Sequence, residues 1–297
     1  MSSFSVPSRK TSLIGAHVPT TGGLGKGPFG YADKVGAEVV QVFVGNPRGW
    51  AASAGDPKQD ALFRDRCSEL QVPAFVHAPY LINFGSPTAE TSDRSVDALR
   101  HVLRRGAEIG ARGVVVHTGS TVDAAGREVG LARVRERLLP LLDELDALDG
   151  APALLLEPTA GQGQSLCATM DDLGPYLDAL DRHPRLGVCL DTCHAFAAGH
   201  DLSEPGGVKA TLDRLVKVAG KGRLQLVHAN DCKDVVGSFK DRHENIGAGH
   251  IGQDAFAQLF RHPAMRGVPL VIETPGKADG EKHAADIALL KELRAAG

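Results

Sequence analysis

Nine side chains able to bind a divalent cation recur along the 297-residue sequence: His77, His117, Glu157, Asp191, His194, His228, Asp241, His243 and Glu273. Six of them close a short apolar run, as His117 follows Val114-Val115-Val116 and Glu157 follows Leu154-Leu155-Leu156. His194 stands three residues beyond Asp191, and Asp241-Arg242-His243 lies in a long segment from Asp231 to Gly252. Taken singly, each has an ordinary role, since a strand-end histidine is more often a hydrogen-bonded rim residue and a buried carboxylate more often pairs with Arg or Lys. Taken together they do not, because no matching set of basic residues closes the same runs. The four carboxylates need positive charge from elsewhere, and metal cations supply it. Imidazole with carboxylate and no thiolate suits Zn²⁺, Mn²⁺ or Fe²⁺ better than Ca²⁺ or Mg²⁺, which prefer oxygen alone. Nine groups are too many for one four-coordinate ion, but with about three protein ligands and an open position each they serve three ions if carboxylates bridge. Such clusters suit phosphodiester hydrolysis, where one ion activates water and another steadies the leaving oxygen.

The elements that must position these residues are eight apolar runs rich in Val, Ile and Leu: Ser12–Val18, Ala37–Val44, Pro73–Ala78, Arg112–Thr118, Pro152–Glu157, Leu186–Thr192, Leu224–Asn230 and Val268–Thr274. Each is too short for a helix and too uniformly apolar for a strand with one wet face, which is the pattern of parallel strands covered on both sides. Between them lie stretches such as Ser92–Gly110, Gly130–Leu148 and Gly207–Gly220, with apolar residues three and four apart. Eight strand–helix repeats without a linker predict one α/β domain, a (β/α)8 TIM barrel over residues 12–297 behind a flexible tail of residues 1–11. An open doubly wound sheet is the structural alternative, disfavoured because no G-x-G-x-x-G follows the first run. The run Gly22-Gly23-Leu24-Gly25-Lys26-Gly27 lacks the Ser/Thr and the glycine spacing of a phosphate loop and reads as a flexible βα loop. In a barrel, the carboxyl ends of the strands carry the active site, which is where the ligands fall.

Composition sets the outer bounds. With 33 Lys+Arg against 36 Asp+Glu the net charge is −3, unlike a basic nucleic-acid coat protein, and 42% hydrophobic with 23% charged residues is ordinary for a globular chain. No apolar stretch reaches the roughly eighteen residues of a membrane span, no secretory signal opens the chain, and five cysteines without regular spacing point to a reducing compartment. The expected location is the cytoplasm, with a monomer as the default. Cys189 and Cys193 lack the second pair of a zinc ribbon.

The ordered motifs also carry a resemblance. Gly15-Ala16-His17-Val18, His77-Ala78-Pro79-Tyr80-Leu81-Ile82-Asn83, His117-Thr118-Gly119-Ser120, Glu157-Pro158-Thr159-Ala160-Gly161-Gln162-Gly163 and Asp191-Thr192-Cys193-His194 resemble the endonuclease IV family of apurinic/apyrimidinic endonucleases. So do His228-Ala229-Asn230-Asp231, Asp241-Arg242-His243-Glu244-Asn245-Ile246-Gly247 and Glu273-Thr274-Pro275. The resemblance implies a trinuclear zinc enzyme of base excision repair, a deoxyribonuclease IV acting on double-stranded DNA. It would cleave 5′ to an abasic site, leaving a 3′-hydroxyl and a 5′-deoxyribose phosphate, with side activity at 3′-blocked ends. It assigns His77, His117 and Glu157 to one zinc, Glu157, Asp191, His228 and Glu273 to a second, and His194, Asp241 and His243 to a third. Glu157 is then the bridging catalytic carboxylate, and hydroxide on the ions is the nucleophile. The resemblance also implies that Arg48, Tyr80 and Leu81 wedge the DNA open. Two departures accompany it: Pro158 stands where Asn usually follows the bridging Glu, and Pro47 lies inside Asn46-Pro47-Arg48-Gly49-Trp50. Two rival readings are a metal-dependent sugar isomerase or epimerase on a similar barrel, and a metal- or DNA-binding barrel without catalysis.

Overall fold

A computed structural model describes residues 11–296, and each of the eight apolar runs contains a parallel strand. In chain order the elements are β1 (Ile14–His17), α1 (Gly27–Val35), β2 (Val40–Val42), α2 (Pro57–Leu70), β3 (Ala74–His77), α3 (Ala89–Glu108), β4 (Gly113–His117), α4 (Arg127–Leu145), β5 (Ala153–Glu157) and α5 (Leu173–Ala179). They continue as β6 (Leu186–Asp191), α6 (Thr192–Ala197), α7 (Gly207–Ala219), β7 (Leu224–His228), β8 (Asp231–Cys232), β9 (His243–Glu244), α8 (Gln253–Arg261), β10 (Leu270–Ile272) and α9 (Glu281–Ala296). Strands β1 to β7 and β10 close into a barrel, with β1 hydrogen-bonded to both β2 and β10. The expected tail falls almost wholly on residues 1–10, outside the described residues. Among the described residues no helix is long and apolar enough to cross a membrane.

Alternation of side chains along each strand divides the core in two. Outward residues pack beneath the helices, as Val114, Val116, Leu154 and Leu156 do. Inward residues form a separate layer of Val39, Phe75, Val115, Leu155, Cys189, Leu226 and Val271 in the barrel lumen. Each of these stands two residues before a polar side chain on the same face: Gln41, His77, His117, Glu157, Asp191, His228 and Glu273. The apolar plug is therefore the floor of the polar site. Its close packing needs glycine at Gly113 and Gly187, where an added Cβ would come within 2.9 Å and 2.6 Å of the Leu155 methyl groups.

Register sets the neighbours at the rim. His117 pairs with Glu157 across β4 and β5, and Asp191 pairs with His228 across β6 and β7. The second pairing depends on an irregularity between Val188 and Cys189: Val188 pairs with Leu224 but Cys189 with Leu226, which leaves Gln225 as the extra residue. Without that bulge Asp191 would face Val227, whose side chain points the other way. The Gly22–Lys26 segment is a βα connection held by Gly23 N–H to Thr20 O (3.0 Å) and Gly25 N–H to Gln59 Oε1 (2.9 Å). Two elements give no signal in the sequence: the short helix α6 directly after β6, and the antiparallel pair β8–β9 inside the Asp231–Gly252 segment.

Candidate metal centre

All nine candidate ligands meet at the carboxyl end of the barrel around the Glu157 carboxylate, which is 1% exposed. One of its oxygens, Oε2, lies 3.2 Å from His77 Nε2 and 3.3 Å from His117 Nε2. The other, Oε1, lies 2.8 Å from His228 Nδ1 and 3.6 Å from His194 Nδ1. His228 Nδ1 is also 3.3 Å from Glu273 Oε2 and 3.9 Å from Asp191 Oδ2. On the far side, Asp241 stands 3.3 Å from His194 Nε2 and 3.1 Å from His243 Nε2. His77, His117 and Glu157 form one group whose donor atoms lie within 4.8 Å of one another, and His194, Asp241 and His243 form another.

Local structure explains how the later ligands arrive. Asp191 caps α6, accepting the His194 N–H at Oδ1 (2.8 Å), while Asn230 Nδ2 donates to Oδ2 (2.7 Å). One short turn of helix thus carries His194 from the β6 end to the Asp241 side. The β8–β9 pair returns the chain from Cys232 to His243, and Asp231 anchors it by accepting the N–H groups of Gly247 and Ile251, both at 2.9 Å.

The donor set fits divalent cations. Four rings spend their outer nitrogen on an acceptor: His77 Nδ1 on Ala78 O (2.7 Å), His194 Nδ1 on Pro158 O (3.1 Å), His228 Nε2 on Gln41 Oε1 (2.9 Å) and His243 Nδ1 on Glu273 O (3.2 Å). Donation there fixes the tautomer and turns a lone pair inward, toward carboxylates that also lack protons. Lone pair against carboxylate is repulsive unless a cation or a second proton lies between. His243 Nε2 shows the mismatch: it is buried, near both Asp241 and Asp191, and off the line of a hydrogen bond to any group among the described residues. Burial opposes charge throughout the site, yet His228 and His117 hold the Glu157 carboxyl well below the usual range. Against the same burial, Asp191, Asp241 and Glu273 push the His243 pKa up to about 9. These are the fields of a site built for added positive charge.

The comparisons with known proteins bear on this geometry. A family model described as the xylose isomerase-like TIM barrel matches residues 29–293. The chain is 64% identical over 281 residues to a probable endonuclease 4 of Streptomyces coelicolor, covering 95% of each chain. It is 41% identical to a probable endonuclease 4 of Methanoculleus marisnigri, covering 96% of this chain and 99% of that one. The crystal structure of endonuclease IV from Thermus thermophilus superposes with a TM-score of 0.82 at 32% identity, over 96% of this chain and 100% of that one. The chain belongs to the endonuclease IV family. A D-tagatose 3-epimerase-like protein superposes with a TM-score of 0.71 at 18% identity over 96% of this chain and 98% of that one, which shows a shared barrel and nothing more.

Within this family member, several residues that the sequence left without a role support the ligands. Gln41 in β2 donates from Nε2 to Glu273 Oε1 (2.7 Å) while its Oε1 accepts from His228, so one amide orients two ligands. His17 lies 3.3 Å from Glu273 Oε1. Asn230 accepts the Glu273 N–H (2.8 Å) besides donating to Asp191. Thiols are also nearer than expected: the sulfurs of Cys189 and Cys193 lie within 4.8 Å of donor atoms of Glu157 with His228, and of Asp191 with His243. Burial pushes the Cys189 thiol up to about 12 and keeps it protonated. Of the two departures, Pro158 keeps a role through its carbonyl, which accepts from His194, and Pro47 O accepts the Tyr80 N–H (3.0 Å).

The expected wedge residues sit at the same mouth. Tyr80 is 46% exposed and Leu81 37%, Arg48 is exposed, and the Tyr80 ring packs 5.2 Å from His77 and 5.6 Å from His117, centroid to centroid.

Proposed function

We propose that the protein is a DNA repair endonuclease that hydrolyses the phosphodiester bond 5′ to an abasic site in duplex DNA, leaving a 3′-hydroxyl and a 5′-deoxyribose phosphate, with zinc ions as cofactor. The observation that carries this reading is the division of Glu157, one oxygen facing His77 and His117 and the other facing His228. A carboxylate so divided is placed to bridge two cations. His77, His117 and Glu157 would hold one ion, Glu157, Asp191, His228 and Glu273 a second, and His194, Asp241 and His243 a third. Bound there, divalent ions supply an activated water and charge stabilisation for phosphodiester hydrolysis. The chain's own part is placement. Gln41, Asn230 and the carbonyls of Ala78, Pro158 and Glu273 hold the rings and carboxylates in one orientation, and the lumen layer closes the site to water from below. Arg48, Tyr80 and Leu81 would enter the gap left by the missing base and keep the extruded sugar at the site.

Incubation with a duplex bearing one abasic site tests this reading. Cleavage on the 5′ side, giving ends that prime a polymerase and stopping when a chelator is added, is the expected result, with about three divalent ions per chain by elemental analysis. Turnover of free sugars with DNA untouched would favour an isomerase. Affinity for the abasic duplex without cleavage would leave a binding module, and about one ion per chain would overturn the three-ion site.

A further inference from the structure

Left-handed backbone is costly for every residue but glycine, so a side chain held there asks for a reason. Among the described residues five non-glycine residues take it: Gln71, Val122, Asp181, Arg182 and Phe239. Gln71 closes α2, and Asp181 and Arg182 follow α5, where helices commonly end in this conformation. The two apolar members, Val122 (φ 64°) and Phe239 (φ 54°), have no helix end to account for them. Both lie on loops at the carboxyl end of the barrel, after β4 and between β8 and β9, and both are exposed, by 66% and 53%. Phe239 has the larger surface and the firmer seat. Its N–H donates to Ala197 O at the end of α6 (3.0 Å), and the Gly237 N–H donates to Phe196 O (3.1 Å). Its ring lies so close to Gly161 that a Cβ there would stand 2.7 Å from Phe239 Cδ1. Gly161 belongs to the loop after β5, itself tied to the loop after β4 by Thr121 N–H to Gln164 O (3.1 Å) and Leu166 N–H to Gly119 O (3.0 Å).

Barrel order says what this ring faces. Strand β6, which leads into α6, is four strands from β2 in either direction round the barrel, so Phe239 stands across the mouth from the loop that carries Arg48. The ligand cluster lies between them, with Asp241 two residues beyond Phe239 in the chain. A polynucleotide strand laid over the cluster therefore passes Phe239 on the side away from Arg48 and Tyr80. A fixed, half-exposed ring suits the π-face of a nucleobase.

We propose that Phe239 is a base-stacking residue, its ring taking a nucleobase beside the lesion on the rim opposite Arg48 and Tyr80. The proposal rests on the reading of the substrate as abasic DNA. It supplies a grip that the net charge of −3 does not oppose.

Binding measures this contact apart from cleavage. Duplexes carry an abasic analogue, a phosphorothioate at the scissile bond and 2-aminopurine at each position around the lesion in turn, and the full protein is titrated in. At one position stacking should quench the 2-aminopurine emission, and Phe239→Ala should remove that quenching and weaken binding about tenfold. Phe239→Trp, which keeps a ring face, should restore both. No charge is lost, so the slope of log affinity against log salt should be the same in the parent and in Phe239→Ala. Metal content and a cooperative melt should be kept in both variants. Leu70→Ala, which removes an exposed apolar side chain at the far end of α2, is the control and should change nothing. Parent-like binding and quenching in Phe239→Ala would overturn the proposal. So would a loss of binding that comes with loss of metal and that Trp does not restore, which would make the ring a support for the Asp241 loop. A dimer that dissociates in Phe239→Ala while DNA binding stays would give the ring to a second copy and overturn it as well. A parent that binds and is quenched but leaves an unmodified abasic duplex uncut would fail as an endonuclease and keep the contact, whereas a parent that binds none of the duplexes would overturn both.

Discussion

Glu157 lies at the centre of the candidate site, one oxygen facing His77 and His117 and the other His228. Glu157→Gln keeps the shape but turns one of those oxygens into an amide donor aimed at rings already donating elsewhere. Cleavage of abasic DNA should fall by about 10²-fold or more with the fold retained, and a rate near that of the parent would show that this carboxylate is not the bridge. Gln41 makes the corresponding case one layer out. Because its amide orients both His228 and Glu273, Gln41→Leu should weaken metal retention by about 10- to 100-fold against a competing chelator while the melting profile stays cooperative. Metal retention equal to that of the parent would reduce Gln41 to a packing residue. The contrast between the two marks what a sequence displays: Glu157 follows three leucines and stands out as a carboxylate at a strand end. Gln41 lies inside an apolar run, where a neutral polar residue has no periodicity or charge to single it out, whereas His17 stands next to the end of its run as His77 does and could have been marked by that position.

At the scale of elements, the eight strands were legible because burial on both faces forces uniformly apolar runs, and each run contains its strand while giving one or both of its ends to the flanking segments. The β6–β7 bulge was not legible, since nothing local distinguishes Gln225 as an extra residue; it follows from closing the barrel with Asp191 beside His228. Nor were α6 and the β8–β9 pair, which are too short to show a period and are fixed by Asp191 and Asp231 acting as hydrogen-bond anchors. The loops after β2 and β3 are linked through Tyr80 N–H to Pro47 O, so Arg48, Tyr80 and Leu81 share one rim. If that rim wedges DNA, Arg48→Ala and Tyr80→Ala should retain metal and fold yet weaken binding and cleavage of an abasic duplex by about 5- to 50-fold. The loss should be smaller on a frayed 3′ end carrying a blocking group, where no stack has to be held apart. Equal losses on both substrates would assign these residues to general phosphate contact or to stability.

For the whole molecule, net charge −3 does not prevent DNA binding, but it places the burden on local fields. Of the cations near the mouth, Arg242 and Lys240 both turn toward Asp234, so the β8–β9 loop offers less free positive charge than its sequence implies. Integrity of the mouth then depends on the barrel staying closed, and closure has its own ionic device. Where β1 meets its neighbours, Glu38 accepts the Ile14 N–H (3.0 Å) and the Arg294 guanidinium (2.7 Å), and Lys291 stands 3.4 Å away. Arg294 also donates to Ser12 O (2.7 Å), which ties the last helix to the residues leading into β1. Burial raises the cost of charge on Glu38, but Arg294 and the Ile14 N–H outweigh it and hold the carboxyl below its ordinary value near 4.5. A depressed carboxyl stabilises the fold above the unfolded pKa and loses that contribution as pH falls through the folded one. Glu38→Gln should therefore cost about 1–2 kcal/mol near neutral pH, and the gap in melting temperature between parent and variant should close on acidification below the ordinary carboxyl pKa. The site carboxylates titrate in both proteins and cancel in the difference. A gap that persists unchanged into strong acid would mean that the acceptor pattern of Glu38, not its charge, holds the seam, because Gln turns one of its oxygens into a donor facing the Ile14 and Arg294 N–H groups.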